Sequence, residues 1–148
     1  MKLFFLGLAV LAGAATAFQI PVNAGLRTHL SHPMQATLVS FSVGMLLSLA
    51  ICLATATGVP AFQGIANIPW WAWTGGLLGT LYVGLSVVLS PRIGVAPMLS
   101  MVIAGQMLTS IIVDHYGLLN APIYPMTTQR ICGGLLVAIG AAVMAFGK

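Results

Sequence analysis

The sequence predicts an all-α fold, a polytopic transmembrane bundle of about five helices forming a single domain over residues 1–148. Three observations predict it. Only 4% of the residues are charged and 59% are hydrophobic, whereas a soluble domain carries about 25% charged residues. Five basic and one acidic side chain are too few to cover a water-exposed surface, so the bilayer is the solvent that fits. The apolar residues fall into runs of about 19 to 25, enough at 1.5 Å per residue to cross a core of about 30 Å. The runs are also near-continuous, whereas barrel strands would alternate apolar and polar over about ten residues. Helices remain as the structure that satisfies its own backbone in lipid.

The first helix is expected over roughly 3–27. Its opening imitates a secretory signal, with Lys2, a Leu/Phe/Ala-rich core and Ala15-Thr16-Ala17 as an A-x-A site. The alternative, a retained first helix that serves as the insertion signal, fits a chain whose remainder is itself membrane-spanning. Pro21 interrupts the run, and periodicity alone leaves the segment from Pro21 to Leu30 open between helix and loop. The second helix, 33–57, opens on Pro33, which suits a first helical turn where its missing N–H would be unpaired anyway. Gly58-Val59-Pro60 ends it, and Gln63 to Asn67 form a short uncharged connection. The third, 70–90, opens with Pro69-Trp70-Trp71-Ala72-Trp73, an aromatic belt at headgroup depth or rings packed between helices. Pro91-Arg92-Ile93-Gly94 reads as a hairpin turn. The fourth runs over 94–113, with Pro97 in its first turn, and meets Asp114-His115-Tyr116-Gly117. A loop carrying Pro122 and Pro125 leads to the fifth, 128–146.

The charges do not orient the chain. With five spans, Lys2 and Arg130 share one side, and Arg27, Arg92 and Lys148 the other; two against three gives the positive-inside rule little to act on. Either a partner orients the chain, or copies insert both ways up and pair as an antiparallel homodimer. Such a dimer would supply the inverted repeat that many transporters carry within one chain. The basic residues are scattered, so no nucleic-acid partner is expected. Cys52 and Cys132 sit far apart in apolar runs and read as small fillers.

Polar residues inside the helices form stripes. Ala12, Thr16, Gln19, Asn23 and Arg27 follow steps of three and four and share one helix face. Carboxamides facing lipid are costly, so Gln19 and Asn23 either tie helices together or line a polar cavity and contact a solute. Gln106, Ser110 and Asp114 form a second stripe. Asp114 is the single carboxylate side chain; it is the candidate for ion coupling, or it pairs with Arg92 or Arg130 at the helix end. His29, His32 and His115 lie at helix boundaries as interfacial polar residues. Small residues at spacing four (Ala36, Ser40, Gly44; Gly75, Gly79; Gly134, Ala138, Ala142) let helices approach closely. Tyr82, near the small face of the third helix, offers a hydroxyl to a cavity or packs inside. No HExxH, CxxC, Walker A or GxGxxG motif is present, and no cofactor, metal or enzymatic chemistry is expected.

The stripe Gln19-x-x-x-Asn23, the segment Trp71-x-Trp73-x-Gly75-Gly76-x-x-Gly79 with Tyr82, Gly105-Gln106 leading to Asp114-x-x-Gly117, and Arg130-x-x-Gly133 resemble the YdcZ-like family across nearly the full chain. These are half-size inner-membrane members of the drug/metabolite transporter superfamily. The resemblance implies about five helices per chain, an antiparallel arrangement of two halves, and transport of small solutes. One departure from the small multidrug-resistance pattern is that the first helix has no mid-membrane glutamate, only Gln19 and Asn23. A neutral, polar or anionic substrate fits that better than a cation coupled to protons. The expected function is therefore a secondary transporter of small solutes in the inner membrane, working by alternating access as a dual-topology homodimer. Gln19, Asn23, Tyr82 and Gln106 would bind substrate, with Asp114 the carboxylate available for coupling. A non-transporting membrane subunit and a passive channel are the competing classes.

Overall fold

The computed structural model describes residues 1–55, 58 and 68–147. Among them are five long helices and no strand: α1 (Lys2–Arg27), α2 (Pro33–Ala54), α3 (Gly75–Ile93), α4 (Val95–Tyr116) and α5 (Thr128–Phe146). A 3-10 helix, Trp70–Thr74, leads into α3, and a short one, Leu118–Asn120, follows α4. With the 3-10 turn counted into the third, all five are long and apolar enough to span a membrane. The expected stop at Val59-Pro60 and the connection from Gln63 to Asn67 lie outside the described residues.

Local chemistry explains the ends. α1 continues through Pro21 to Arg27, so the open segment is helix as far as Arg27, and Thr28 to Leu30 form hydrogen-bonded turns. In lipid, breaking the helix at Pro21 would strand several backbone groups, whereas continuing past it forfeits one hydrogen bond. α2 starts on a capping box: the Met34 N–H donates to His32 Nδ1 at 3.2 Å, and the His32 N–H donates to Gln35 Oε1 at 3.1 Å. The third run differs from expectation at both ends. The three indoles sit on 3-10 geometry, with Trp70 and Trp73 exposed and Trp71 half-buried, so two of the three rings are not packed between helices. At the other end Pro91 and Arg92 are still helical, and Gly94 alone makes the turn at φ 88°, a conformation that glycine adopts without a steric penalty. α4 runs three residues beyond 113, to Tyr116, and stops at Gly117 in the left-handed region (φ 60°), whose N–H donates to the Val113 carbonyl. Asp114 thus lies in the last turn of α4.

The chain falls into two compact units, Met1–Val88 and Leu89–Lys148. In the first, Ala36, Val83 and Val87 form a core against which Leu26, Leu30 and Tyr82 pack. A Cβ at Gly79 would lie 3.2 Å from the Phe41 ring, and one at Gly84 3.1 Å from Met34 Sδ, so the glycines of α3 set how closely α2 approaches. In the second unit α4 packs on α5, where a Cβ at Gly134 would lie 2.9 Å from Ile111 Cδ1. The polarity of both units is inverted relative to a soluble protein. Buried positions hold mostly Ala, Val, Ser, Thr and Gly, with Ile20, Asn23, Met98 and Ile111 among them, while Leu46, Leu47, Leu136, Ile139 and Val143 point outward. Lipid is as apolar as leucine, so burial drives nothing there, and small residues that permit close contact fill the interior.

Candidate functional site

The sequence stripe on α1 divides into distinct environments. Gln19 faces α2 across a groove of about 370 Å³, lined also by Ser40, Phe41, Gly44, Met45 and Ser48. Asn23, one turn further on, is buried at 5% exposure. Its carboxamide makes no hydrogen bond to any described residue, and neither does that of Gln19. Thr16 spends its hydroxyl on the Ala12 carbonyl at 3.0 Å, and Arg27 is half-buried at the end of the stripe.

Two further unspent polar atoms belong to the same unit. Thr37 Oγ1 on α2 and the Tyr82 hydroxyl on α3 are buried without a hydrogen-bond partner. Tyr82 packs beside the Ala36–Val83–Val87 core, and Thr37 Oγ1 lies 3.8 Å from where a Cβ on Gly84 would stand. An unsatisfied buried hydroxyl or carboxamide costs about 1–3 kcal/mol. Thr37 and Tyr82 thus leave hydrogen-bonding capacity unspent on α2 and α3 of the first unit, and Ser90 Oγ is a third such atom, in the second unit. Thr37 and Ser48 were not singled out in the sequence, although Thr37, Ser40, Gly44 and Ser48 recur at three and four and share a face of α2. The Ala36/Ser40/Gly44 packing pattern masks them. A Cβ at Gly44 would meet nothing within 4 Å; the small residues leave a groove here instead of closing a helix contact.

The second unit holds the other two candidates. Gln106 stands exposed on α4. Asp114 does not share its surroundings, because it forms an ion pair with Arg130, and Ser110, between them, bonds back to the Met107 carbonyl at 2.9 Å. Each member of the pair is wrongly placed on its own helix. A carboxylate at the C-terminal end of α4 and a guanidinium in the first turn of α5 both oppose the helix dipole, and pairing cancels both penalties. Around the pair a strap is fastened: the Tyr124 N–H donates to the Asp114 carbonyl at 2.9 Å. Arg130 Nη1 donates to the Tyr124 carbonyl at 2.8 Å, and the Met126 N–H to His115 Nδ1 at 3.1 Å. The Arg130 guanidinium also lies 5.9 Å from the centre of the Tyr124 ring. Asp114, Tyr124, Pro125, Thr127 and Arg130 border an open concavity of about 470 Å³. Of the sequence alternatives for Asp114, pairing with Arg130 is what the structure contains. No group of three or more His, Cys, Asp or Glu side chains among the described residues is placed to hold a metal ion.

A family model described as "Putative inner membrane exporter, YdcZ" matches residues 4–143, a range that includes the α1 stripe and the Asp114–Arg130 ion pair. The chain belongs to the YdcZ-like family. The inner membrane protein YdcZ of Escherichia coli is 27% identical over 111 residues, covering 74% of this chain and 73% of that protein. No solved structure matches the chain. As a YdcZ-like protein it resides in the inner membrane, and the description of its family points to membrane transport more than to enzymatic chemistry.

Proposed function

We propose that this YdcZ-like chain is a secondary transporter of small solutes that works by alternating access as an antiparallel, dual-topology homodimer, with its residues acting as a single transmembrane domain. The observation that carries the reading is the set of unspent polar groups in the first unit: Thr37 Oγ1 and the Tyr82 hydroxyl, buried with no partner, and Asn23, a mostly buried residue whose carboxamide bonds to no described residue. Spanning helices tolerate such groups where they face a water-filled or solute-filled path. In this reading Gln19, Asn23 and Tyr82 contact solute in the first unit, and Gln106 is a further substrate-binding position on α4.

Two copies in opposite orientations supply the inverted repeat from which alternating access is built, and the near-balance of basic residues between the two sides lets both orientations insert. Asp114 is the carboxylate available for ion coupling. Because Arg130 holds it, its use in coupling would require that ion pair to open during the cycle. The test is Asn23→Leu in purified protein reconstituted in liposomes. Saturable flux should fall at least tenfold while the dimer still assembles in a crosslinking assay; unchanged flux removes Asn23 from the site.

A further inference from the structure

We infer that the groove between α1 and α2, centred on Gly44, is a binding subsite for an uncharged solute bearing hydroxyl or amide groups, with an apolar side that lies on Phe41 and Met45. The inference rests on the transport reading above and adds the substrate class.

Ser40, Gly44 and Ser48 are 7, 11 and 15 residues beyond Pro33 on a helix of 22, so the groove straddles the middle of α2, the depth at which inverted-repeat transporters hold substrate. Its polar side is unspent. On α2 the Ser42 hydroxyl is returned to the Leu38 carbonyl at 2.9 Å, as helical serines commonly do. The Ser40 and Ser48 hydroxyls and the Gln19 carboxamide have no such bond among the described residues and offer both donors and acceptors. The apolar part of the lining is Phe41 and Met45, beside the serines on α2, with Gly44 between them.

The chemistry of the lining decides the class. No Asp, Glu, Lys or Arg occurs anywhere between Arg27 and Arg92, so α2 carries none, and no ionisable side chain borders the groove. Asp114, the single carboxylate side chain of the protein, is engaged by Arg130 in the other unit. A cation or anion brought to this depth would leave water with no counter-charge to receive it, which is strongly unfavourable. A neutral solute exchanges water for hydroxyl and carboxamide partners at little net cost, and its apolar side gains contact with the phenyl ring and thioether. Discrimination against a charged analogue of the same skeleton should reach at least about 100-fold, because a site without counter-charges leaves the ion unpaired.

The test uses the full chain in liposomes of zwitterionic lipid and compares uptake of neutral probes (glycerol, xylitol, glucose, acetamide) with charged ones (glucosamine, gluconate, tetramethylammonium, benzoate). The expected result is saturable uptake of at least one neutral probe, with charged probes at least about 100-fold slower. Gly44→Leu, which fills the groove, should abolish that uptake, and Gln19→Leu should raise KM at least fivefold with a smaller effect on the maximal rate. Gly140→Leu, on an α5 position where an added Cβ meets nothing within 4 Å, serves as the control for adding a leucine and should retain uptake. Saturable uptake of a charged probe alone overturns the substrate class and leaves the transporter standing. Neutral uptake that survives Gly44→Leu removes the site from this groove. No saturable uptake of any probe overturns both this inference and the transport reading.

Discussion

Asp114 and Arg130 are the clearest case of residues whose role depends on where their helices end. Sequence spacing put Asp114 on a stripe with Gln106 and left it open between coupling and pairing, with two arginines as candidate partners. Its last-turn position on α4, opposite the first turn of α5, selects Arg130. The side chains are 29% and 34% exposed, respectively, so their interaction is worth on the order of 1 kcal/mol. A double-mutant cycle of Asp114→Ala and Arg130→Ala, read by thermal unfolding in detergent, should return a coupling of that size. Either single variant should be destabilised more than additivity from the double variant implies, because it leaves one end charge uncompensated against its helix dipole. Additive effects would mean that the pair contributes nothing to stability.

Between elements, glycine decides which helices touch. Gly134 faces Ile111 closely enough that an added Cβ falls at 2.9 Å from its terminal methyl. The end of an isoleucine can rotate away from one methyl but not from a branched chain. Gly134→Ala should therefore change stability by less than about 1 kcal/mol, while Gly134→Leu should cost about 1–3 kcal/mol by overpacking the α4–α5 contact; the two unfolding midpoints check this. Gly117 is stricter. Its φ is 60°, and an added Cβ would stand 2.7 Å from Ile123 Cγ1 and 3.3 Å from the Ala121 carbonyl oxygen, which leaves no easy place for a side chain. Gly117→Ala should cost at least about 1 kcal/mol and loosen the 117–127 strap, visible as faster hydrogen exchange at the Tyr124 and Met126 amides. The element pattern was largely legible: apolar run length gives five helices, and Pro33 and Gly117 mark ends by their own backbone constraints. Pro91 misleads, because in a chain surrounded by lipid the helix continues past a proline to keep its other hydrogen bonds.

For the whole molecule, the proposed dual topology depends on how evenly basic residues divide between the two sides. His29→Arg with Ser31→Arg, both in the exposed connection between α1 and α2, would change the division from two against three to two against five. Labelling of terminal single cysteines in a Cys52→Ser, Cys132→Ser background should then shift from a near-even split toward one orientation. Transport by the homodimer should fall with it and return when the parent chain is co-expressed in the opposite orientation. A parent chain whose termini already show fixed, opposite sides would rule out the antiparallel homodimer.

The sequence by itself determined the solvent and the secondary structure, since near-absence of charge and the length of each apolar run leave membrane helices as the way to satisfy the backbone. It also determined which residues are costly in lipid, namely Gln19, Asn23, Tyr82, Gln106 and Asp114. Only the tertiary structure decided what each of them faces. Helical periodicity gives the face a residue occupies but not the neighbour across from it. Tertiary contacts therefore paired Asp114 with Arg130, set Gln19 opposite Ser40 and Ser48, and turned Gly44 from an expected packing contact into part of the lining of a groove.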